Sequence, residues 1–307
     1  IINWLLKGDV SVAYQVHRDL LEANNEVVES FQKRIEKEGF GYAFLNVREN
    51  NHIGFGIYSP KWISLHYTLF DLYCIGVSPL NQDYVNNAEF LLEQLWFNDG
   101  VVRKNRQQDV CICGMLLSMC CYAKIEHHKI EEIIDYLIDV QYQDGGWNCM
   151  HHLGHTHSSL HTTLSVLEGL NEYVKNGYLY KKEMVQNMVQ KAQELLLRKE
   201  LFKRETTKTV IRESFLNCPF PYRWYYDILR ALDYFRNVSY PLDSRMSDAL
   251  DIVESSQKSG YFKKFSKIGG RTHFSMDDAK EGSRWNTVRG LRVLQYYRPA
   301  SYQNIIK

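Results

Sequence analysis

Proline is scarce in this chain, 6 in 307 residues, and no stretch approaches the roughly 18 apolar residues of a membrane-spanning helix. Few prolines leave long helices unbroken. Lys and Arg total 37 against 36 for Asp and Glu, a formal net charge of +1, so there is no cationic excess to hold a polyanion. Neither nucleic acid nor an anionic membrane surface is an expected partner. The apolar opening, Ile1 to Lys7, is too short for a secretory core segment. Seven cysteines, an odd number that includes the adjacent Cys120 and Cys121, form no disulfide framework, and a reducing, cytoplasmic setting is expected. Aromatic residues, by contrast, are plentiful: 21 Tyr, 14 Phe and 6 Trp. At this length, with 45% hydrophobic residues, the chain can bury a sizeable core without a metal or a disulfide. The composition predicts a helical protein with an aromatic interior.

Five segments resemble one another: Trp62 to Leu72, Asp109 to Leu117, Ser158 to Leu170, Arg223 to Leu232 and Arg284 to Leu294. Each passes through a small or polar residue (Thr68, Gly114, Thr163, Asp227, Thr287) into a helical run of Leu, Met, Ile and Val. These anchors stand 46, 49, 64 and 60 residues apart, a period that fits a helical hairpin with its loops. Leu160, Leu164, Leu167 and Leu170 share one helix face. More charged amphipathic helices lie between them: Gln82 to Gln94, Lys129 to Gln141, Lys181 to Leu197 and Ser244 to Gln257. With Val10 to Glu22 and Glu26 to Lys37 as a first pair, six apolar helices interleave with five charged ones. Several charged helices end in a Gln followed by glycine and an aromatic, most fully in Gln141-Tyr142-Gln143-Asp144-Gly145-Gly146-Trp147 and more weakly in Gln94 to Gly100 and Gln257 to Tyr261. Glycine there supplies a left-handed stop, the aromatic packs back over the hairpin, and Gln bonds exposed backbone.

Strands are expected only as isolated extended pieces such as Phe40 to Val47. Alternating apolar and charged helices predict an all-α, two-layer arrangement, either a closed α/α toroid or an open solenoid. No Pro/Gly/Ser linker divides the chain, so one domain is expected over residues 1–307, with a helical pair at 1–38 and the repeats at 39–297.

A repeat of this length, with Gln-x-Asp-Gly-Gly-Trp after a charged helix and a Thr-led leucine helix next, resembles the α/α toroids of squalene cyclases and protein prenyltransferase β-subunits. The resemblance runs from about Gly39 to Tyr297 and is fullest over Gln143 to Leu170. It implies a closed toroid with the six apolar helices inside. Squalene cyclases protonate an alkene with an Asp-x-Asp-Asp cluster, and no such run occurs here. Asp277-Asp278 is followed by Ala279, Lys280 and Glu281, so it also fails as the magnesium motif of ionising terpene synthases; a solvated loop before a helix is its expected role.

Prenyltransferase β-subunits bind zinc through Asp-x-Cys at the start of one inner helix and a His on the next. Asp109-Val110-Cys111 and His161 match that pattern, so the resemblance implies a zinc site at Asp109, Cys111 and His161, with Cys149 as a further ligand or a substrate-facing thiol. A thiolate, an imidazole and a carboxylate with one open position make a catalytic zinc set. Asp109 is placed as a helix N-cap, and the helix terminus favours the Cys111 thiolate. The bland reading makes Asp109 a simple cap and Cys111 a buried small residue. Cys113, Cys120 and Cys121 belong to packing, and His151, His152, His155 and His157 to a solvated loop. Protein prenylation itself is not expected, since that family works with an α-subunit and a longer spacing than the 50 residues from Cys111 to His161. Lanthionine-type cyclisation on a similar toroid needs an adjacent Cys-His pair, which is absent.

Lys61, Arg223 and Arg284 directly precede Trp62, Trp224 and Trp285 in three of the repeats. Cations at helix N-termini oppose the helix dipole, and their recurrence points to an anion, diphosphate or carboxylate, held by Lys61, Arg223 and Arg284. Trp62, His66, Arg223, Trp224, Tyr225, Arg284 and Trp285 would line the substrate cavity. Alternatively the Trp residues fill the core while the Arg side chains pair with Asp71, Asp227 or Glu281. The functional expectation is a zinc-dependent transferase or cyclase acting on a small apolar or isoprenoid-like molecule. The alternative is a metal-free scaffold that binds a lipid or peptide.

Overall fold

The computed structural model describes residues 1–103, 106–266, 268–277 and 279–307. A short α1 (Ile2–Leu6) leads into α2 (Val10–Asp19), capped by the Asp9 carboxylate, which accepts from the Ser11 N–H. After α3 (Asn25–Ile35) the same carboxylate accepts from the Phe40 N–H at 2.9 Å and starts α4 (Gly39–Asn46). The segment expected to be extended is therefore mostly helical. Phe40 and Phe44, one helical turn apart, both meet Phe274, with ring centroids at 5.7 and 4.6 Å, a spacing that a strand would not give.

A hairpin of β1 (Arg48–Glu49) and β2 (His52–Ile53) precedes α5 (Leu65–Ile75) and α6 (Gln82–Leu95). Strands β3 (Val101–Arg103) and β4 (Arg106–Gln107) pair before α7 (Val110–Tyr122) and α8 (His128–Asp139). There follow α9 (Leu160–Lys175), α10 (Lys182–Arg198), α11 (Ile228–Asn237) and α12 (Ser247–Ser255). A hairpin of β5 (Gln257–Lys258) and β6 (Tyr261–Phe262) then leads to α13 (Arg284–Tyr297) and α14 (Pro299–Ile306). These hairpins were not anticipated. At Gln257 to Tyr261 the glycine does not stop a helix; Ser259 and Gly260, at φ of 50° and 83°, form the two-residue turn of β5 and β6.

The apolar repeats become α5, α7, α9, α11 and α13. Helix α2 packs on α5, α5 on α7, α7 on α9, α11 on α13, and α13 back on α2. Between α9 and α11, Arg230 Nε donates to Glu168 at 2.9 Å. The charged helices flank this series: α6 lies on α5 and α7, α8 on α7, α10 on α8 and α9, and α12 on α11 and α13. Their apolar stripes close the layer between, where Trp96, Trp147, Leu137 and Leu196 are buried.

Helices α7 and α9 come closest, and glycine makes this possible. A Cβ on Gly114 would stand 2.4 Å from the Ser165 carbonyl, and one on Gly169 would stand 2.3 Å from the Gly114 carbonyl. Backbone meets backbone there.

Candidate functional site

His66, Cys111, His161 and Trp285 each occupy the second position of α5, α7, α9 and α13. The shared register follows from the repeat. Its anchor is the turn after α8. Gln141 Nε2 donates to the carbonyls of Gly145 (2.8 Å) and Met188 (3.1 Å), Gly145 has φ of 103°, and Trp147 Nε1 donates back to the Leu137 carbonyl at 2.8 Å. These are the roles expected of the Gln, the glycine and the aromatic. The Asp144 carboxylate accepts from the Ser158 N–H and hydroxyl, and the Thr163 hydroxyl from the Trp147 N–H at 3.1 Å. The loop is thus tied to the start of α9.

Cys149 is placed as a result. Its sulfur accepts from the Cys111 N–H at 3.1 Å and from the Thr162 hydroxyl at 3.4 Å, and it hydrogen-bonds the Cys111 thiol. Donation by Cys111 and Thr162 holds the Cys149 thiol below its ordinary range, while the shared proton and burial push Cys111 up. Both cysteines are half-buried.

Around this pair the ends of four repeats converge. Trp224 stacks on Tyr225 at 4.0 Å, His161 lies 5.3 Å from Trp224 and 5.9 Å from Tyr225, and Tyr225 lies 6.2 Å from Trp62. Trp62 meets Tyr67 at 4.7 Å, and the Tyr67 hydroxyl donates to that of Tyr58 at 3.1 Å. Lys61 Nζ is 5.7 to 5.9 Å from the rings of Tyr58, Trp62 and Trp224. Trp62 Nε1 donates to the Gly269 carbonyl at 2.6 Å, so the segment before α13 covers this side.

His66 is fully buried, edge-on to Tyr67 at 4.8 Å, and among the described residues neither ring nitrogen has a hydrogen-bond partner. Burial, with the nearby Lys61 charge, lowers its pKa to about 3.

The expected zinc set fares differently. Asp109 stands at the N-cap of α7, but its carboxylate accepts from Arg106 Nη2 at 2.7 Å and caps no helix N–H. His161 Nδ1 accepts from the Tyr226 N–H at 2.8 Å. An accepting Nδ1 carries no proton, so the neutral ring bears its proton on Nε2 and presents a donor there, not a metal lone pair. Burial keeps it neutral, its pKa lowered to about 4. Cys111 turns to Cys149, and among the described residues no group of three or more His, Cys, Asp or Glu is arranged to hold a metal ion. As they stand, Asp109, Cys111 and His161 do not fit zinc.

Nor do the three cations meet. Arg223 forms a buried ion pair with Asp71, the partner that the structural alternative named, because a guanidinium this deep must be neutralised. The Arg284 guanidinium lies 4.6 Å from the Trp4 ring and donates to the Trp4 carbonyl. Lys61 is exposed. Trp285 packs on Phe220 at 4.3 Å and fills core. Cys113, Cys120 and Cys121 are buried, as expected of packing residues. His155 and His157 are exposed in their loop, whereas His151 and His152 are half-buried. Of Asp277-Asp278, the second residue lies outside the described residues.

Sequence reasoning missed a second region. A cavity of about 330 Å³ opens among the apolar helices, lined by later-turn residues such as Tyr73, Glu172 and Arg292 and by Arg230 of the first turn of α11. Arg230, stacked 4.4 Å over Tyr222, is paired with Glu168; Glu172 accepts from Tyr73 at 3.2 Å; and Arg292 joins Asp19 at 2.7 Å and also bonds Asp233. The signal was available as charged residues on otherwise apolar helices.

No family model, curated protein or solved structure matches the chain.

Proposed function

We propose that the chain is an α/α toroid of the squalene-cyclase and prenyltransferase kind, with α2, α5, α7, α9, α11 and α13 as its inner ring. Its function on this reading is to bind a small apolar or isoprenoid-like molecule at the aromatic mouth formed by the N-terminal ends of those helices. The observation that supports it is the convergence of Trp62, Trp224, Tyr225 and Tyr58 from two repeats beside the Cys111–Cys149 pair. Tyr58, Trp224 and Tyr225 are half-exposed, with Trp62 buried beside them, and such aromatic surface is what an apolar ligand would cover. Titration with farnesol, followed through tryptophan fluorescence, tests the binding. Saturable quenching that is lost in Trp224→Ala is expected; no saturable change in the wild type would overturn it.

A zinc-dependent reaction at the same mouth requires His161 to release the Tyr226 amide and Cys111 to leave Cys149. Metal analysis of untagged protein tests it: one zinc per chain, lost in Cys111→Ser, would establish the metal. Its absence would leave a metal-free mouth.

A further inference from the structure

Seven thiols are free in this chain, and two of them, 38 residues apart, hydrogen-bond each other at the mouth. The contact is built from both sides. The Asp144 and Trp147 bonds fix the loop that carries Cys149, and the first turn of the 13-residue α7 carries Cys111. Two further donors, the Cys111 N–H and the Thr162 hydroxyl, point at the Cys149 sulfur, where they stabilise a sulfur that carries negative charge. The Cys149 N–H in turn donates to Thr162 Oγ1 at 3.4 Å, which holds that hydroxyl in place. No such donor set is needed for packing. Nor does a catalytic cysteine of the usual kind fit, since the neighbour of Cys149 is a second thiol and His161 is engaged with Tyr226. Two sulfurs in hydrogen-bond contact form a disulfide by closing to about 2.05 Å with a Cβ–S–S–Cβ angle near about 90°.

We propose that Cys111 and Cys149 are a reversible dithiol–disulfide pair whose oxidising co-reactant is a small-molecule disulfide, RS–SR. Cys149 sulfur attacks one sulfur of RS–SR; that S–S bond breaks, and RS⁻ leaves and takes up the thiol proton as RSH. Cys111, giving up its proton, then attacks the Cys149 sulfur of the mixed disulfide, and the second RSH leaves. The protein dithiol is oxidised by two electrons, and RS–SR is reduced to two RSH. Cys111 and Cys149 are half-buried residues at the mouth, within reach of a small disulfide; Cys74, also half-buried, lies at the separate ionic cavity, and Cys113, Cys120, Cys121 and Cys218 are buried. The reaction does not depend on what the aromatic mouth binds.

The test is incubation of the untagged protein with oxidised glutathione, followed by thiol counting in denaturant and mass mapping of unreduced peptides. The expected result is loss of two of the seven thiols and a peptide link between Cys111 and Cys149. Cys111→Ser stops at a mixed disulfide on Cys149, and Thr162→Val slows that first step several-fold. The proposal is overturned if all seven thiols survive, if the link joins other cysteines, or if wild-type protein stops at the mixed disulfide. Wild-type mapping decides the matter even where a variant fails to fold, and farnesol titration of the same sample reports on ligand binding separately.

Discussion

The two ends of the apolar helices solve opposite problems. At their N-terminal ends rings and thiols gather, with Trp224, Tyr225, Cys111 and Cys149 half-exposed and Trp62, Tyr67 and His66 buried, His66 without hydrogen-bond partners among the described residues. Farther along the bundle, from Arg230 in the first turn of α11 to Arg292 in the third turn of α13, charges gather and are answered: Arg230 by Glu168, and Arg292 by Asp19 and Asp233. Buried charges answered by partners hold helices in register, whereas half-exposed aromatic surface holds little and is free for a ligand. The ionic end is accordingly read as the scaffold and the aromatic end as the site.

The largest effect should come from breaking the ionic end. Arg230→Leu leaves Glu168 without its partner at the α9–α11 contact and should cost about 3–5 kcal/mol in urea unfolding. Adding Glu168→Leu should recover most of that, because an apolar pair carries no desolvation cost. An equal cost in single and double variants would mean that the charges do not act as a pair.

Next is acid. The unfolded chain protonates His66 near its ordinary value of 6.5, whereas the folded chain does so only near 3. Below pH 6.5 the unfolded state therefore binds the extra proton, and stability falls as the pH drops through that window, levelling off below about 3. His161 and His273, both lowered to about 4, add to the loss. His66→Phe should flatten the pH dependence of the urea midpoint between pH 6.5 and 4 and leave the midpoint at pH 8 nearly unchanged. An unaltered slope would place the acid sensitivity elsewhere.

Trp224→Ala sharpens the contrast at the other end. The ring is half-exposed and stacks on Tyr225, so stability should fall by only about 1 kcal/mol. Farnesol affinity should fall more than about tenfold, equivalent to about 1.4 kcal/mol. A large stability loss with unchanged affinity would reverse the assignment of the two ends. Outside both regions, Arg34→Ala removes an exposed pair with Glu38 and should change the unfolding free energy by less than about 0.5 kcal/mol.

The helices were legible because burying one face imposes a spacing on leucines, and that spacing survives any detail of packing. Residues 40–47 misled because an eight-residue apolar run suits a strand or a helix equally. The capping Asp9 that decides between them lies 31 residues away. At the site, the repeat placed Cys111 and His161 in the same register correctly. It could not say which way each side chain turns, since that depends on the Tyr226 amide, 65 residues from His161, and on the loop carrying Cys149. The ionic cavity was overlooked for a related reason: Glu168, Arg230 and Arg292 look like ordinary surface charges until the helices that carry them are brought face to face.

The touching backbones of Gly114 and Gly169 decide which parts of the mouth can move. Two helices without side chains between them cannot slide or rotate past each other, so α7 and α9 act as one fixed jaw that carries Cys111 and Thr162. The short travel that brings the Cys149 sulfur to Cys111 falls to residues 148 and 149, beyond the anchored Trp147. In hydrogen-exchange language, the amides of 114–118 and 165–170 should open only with global unfolding.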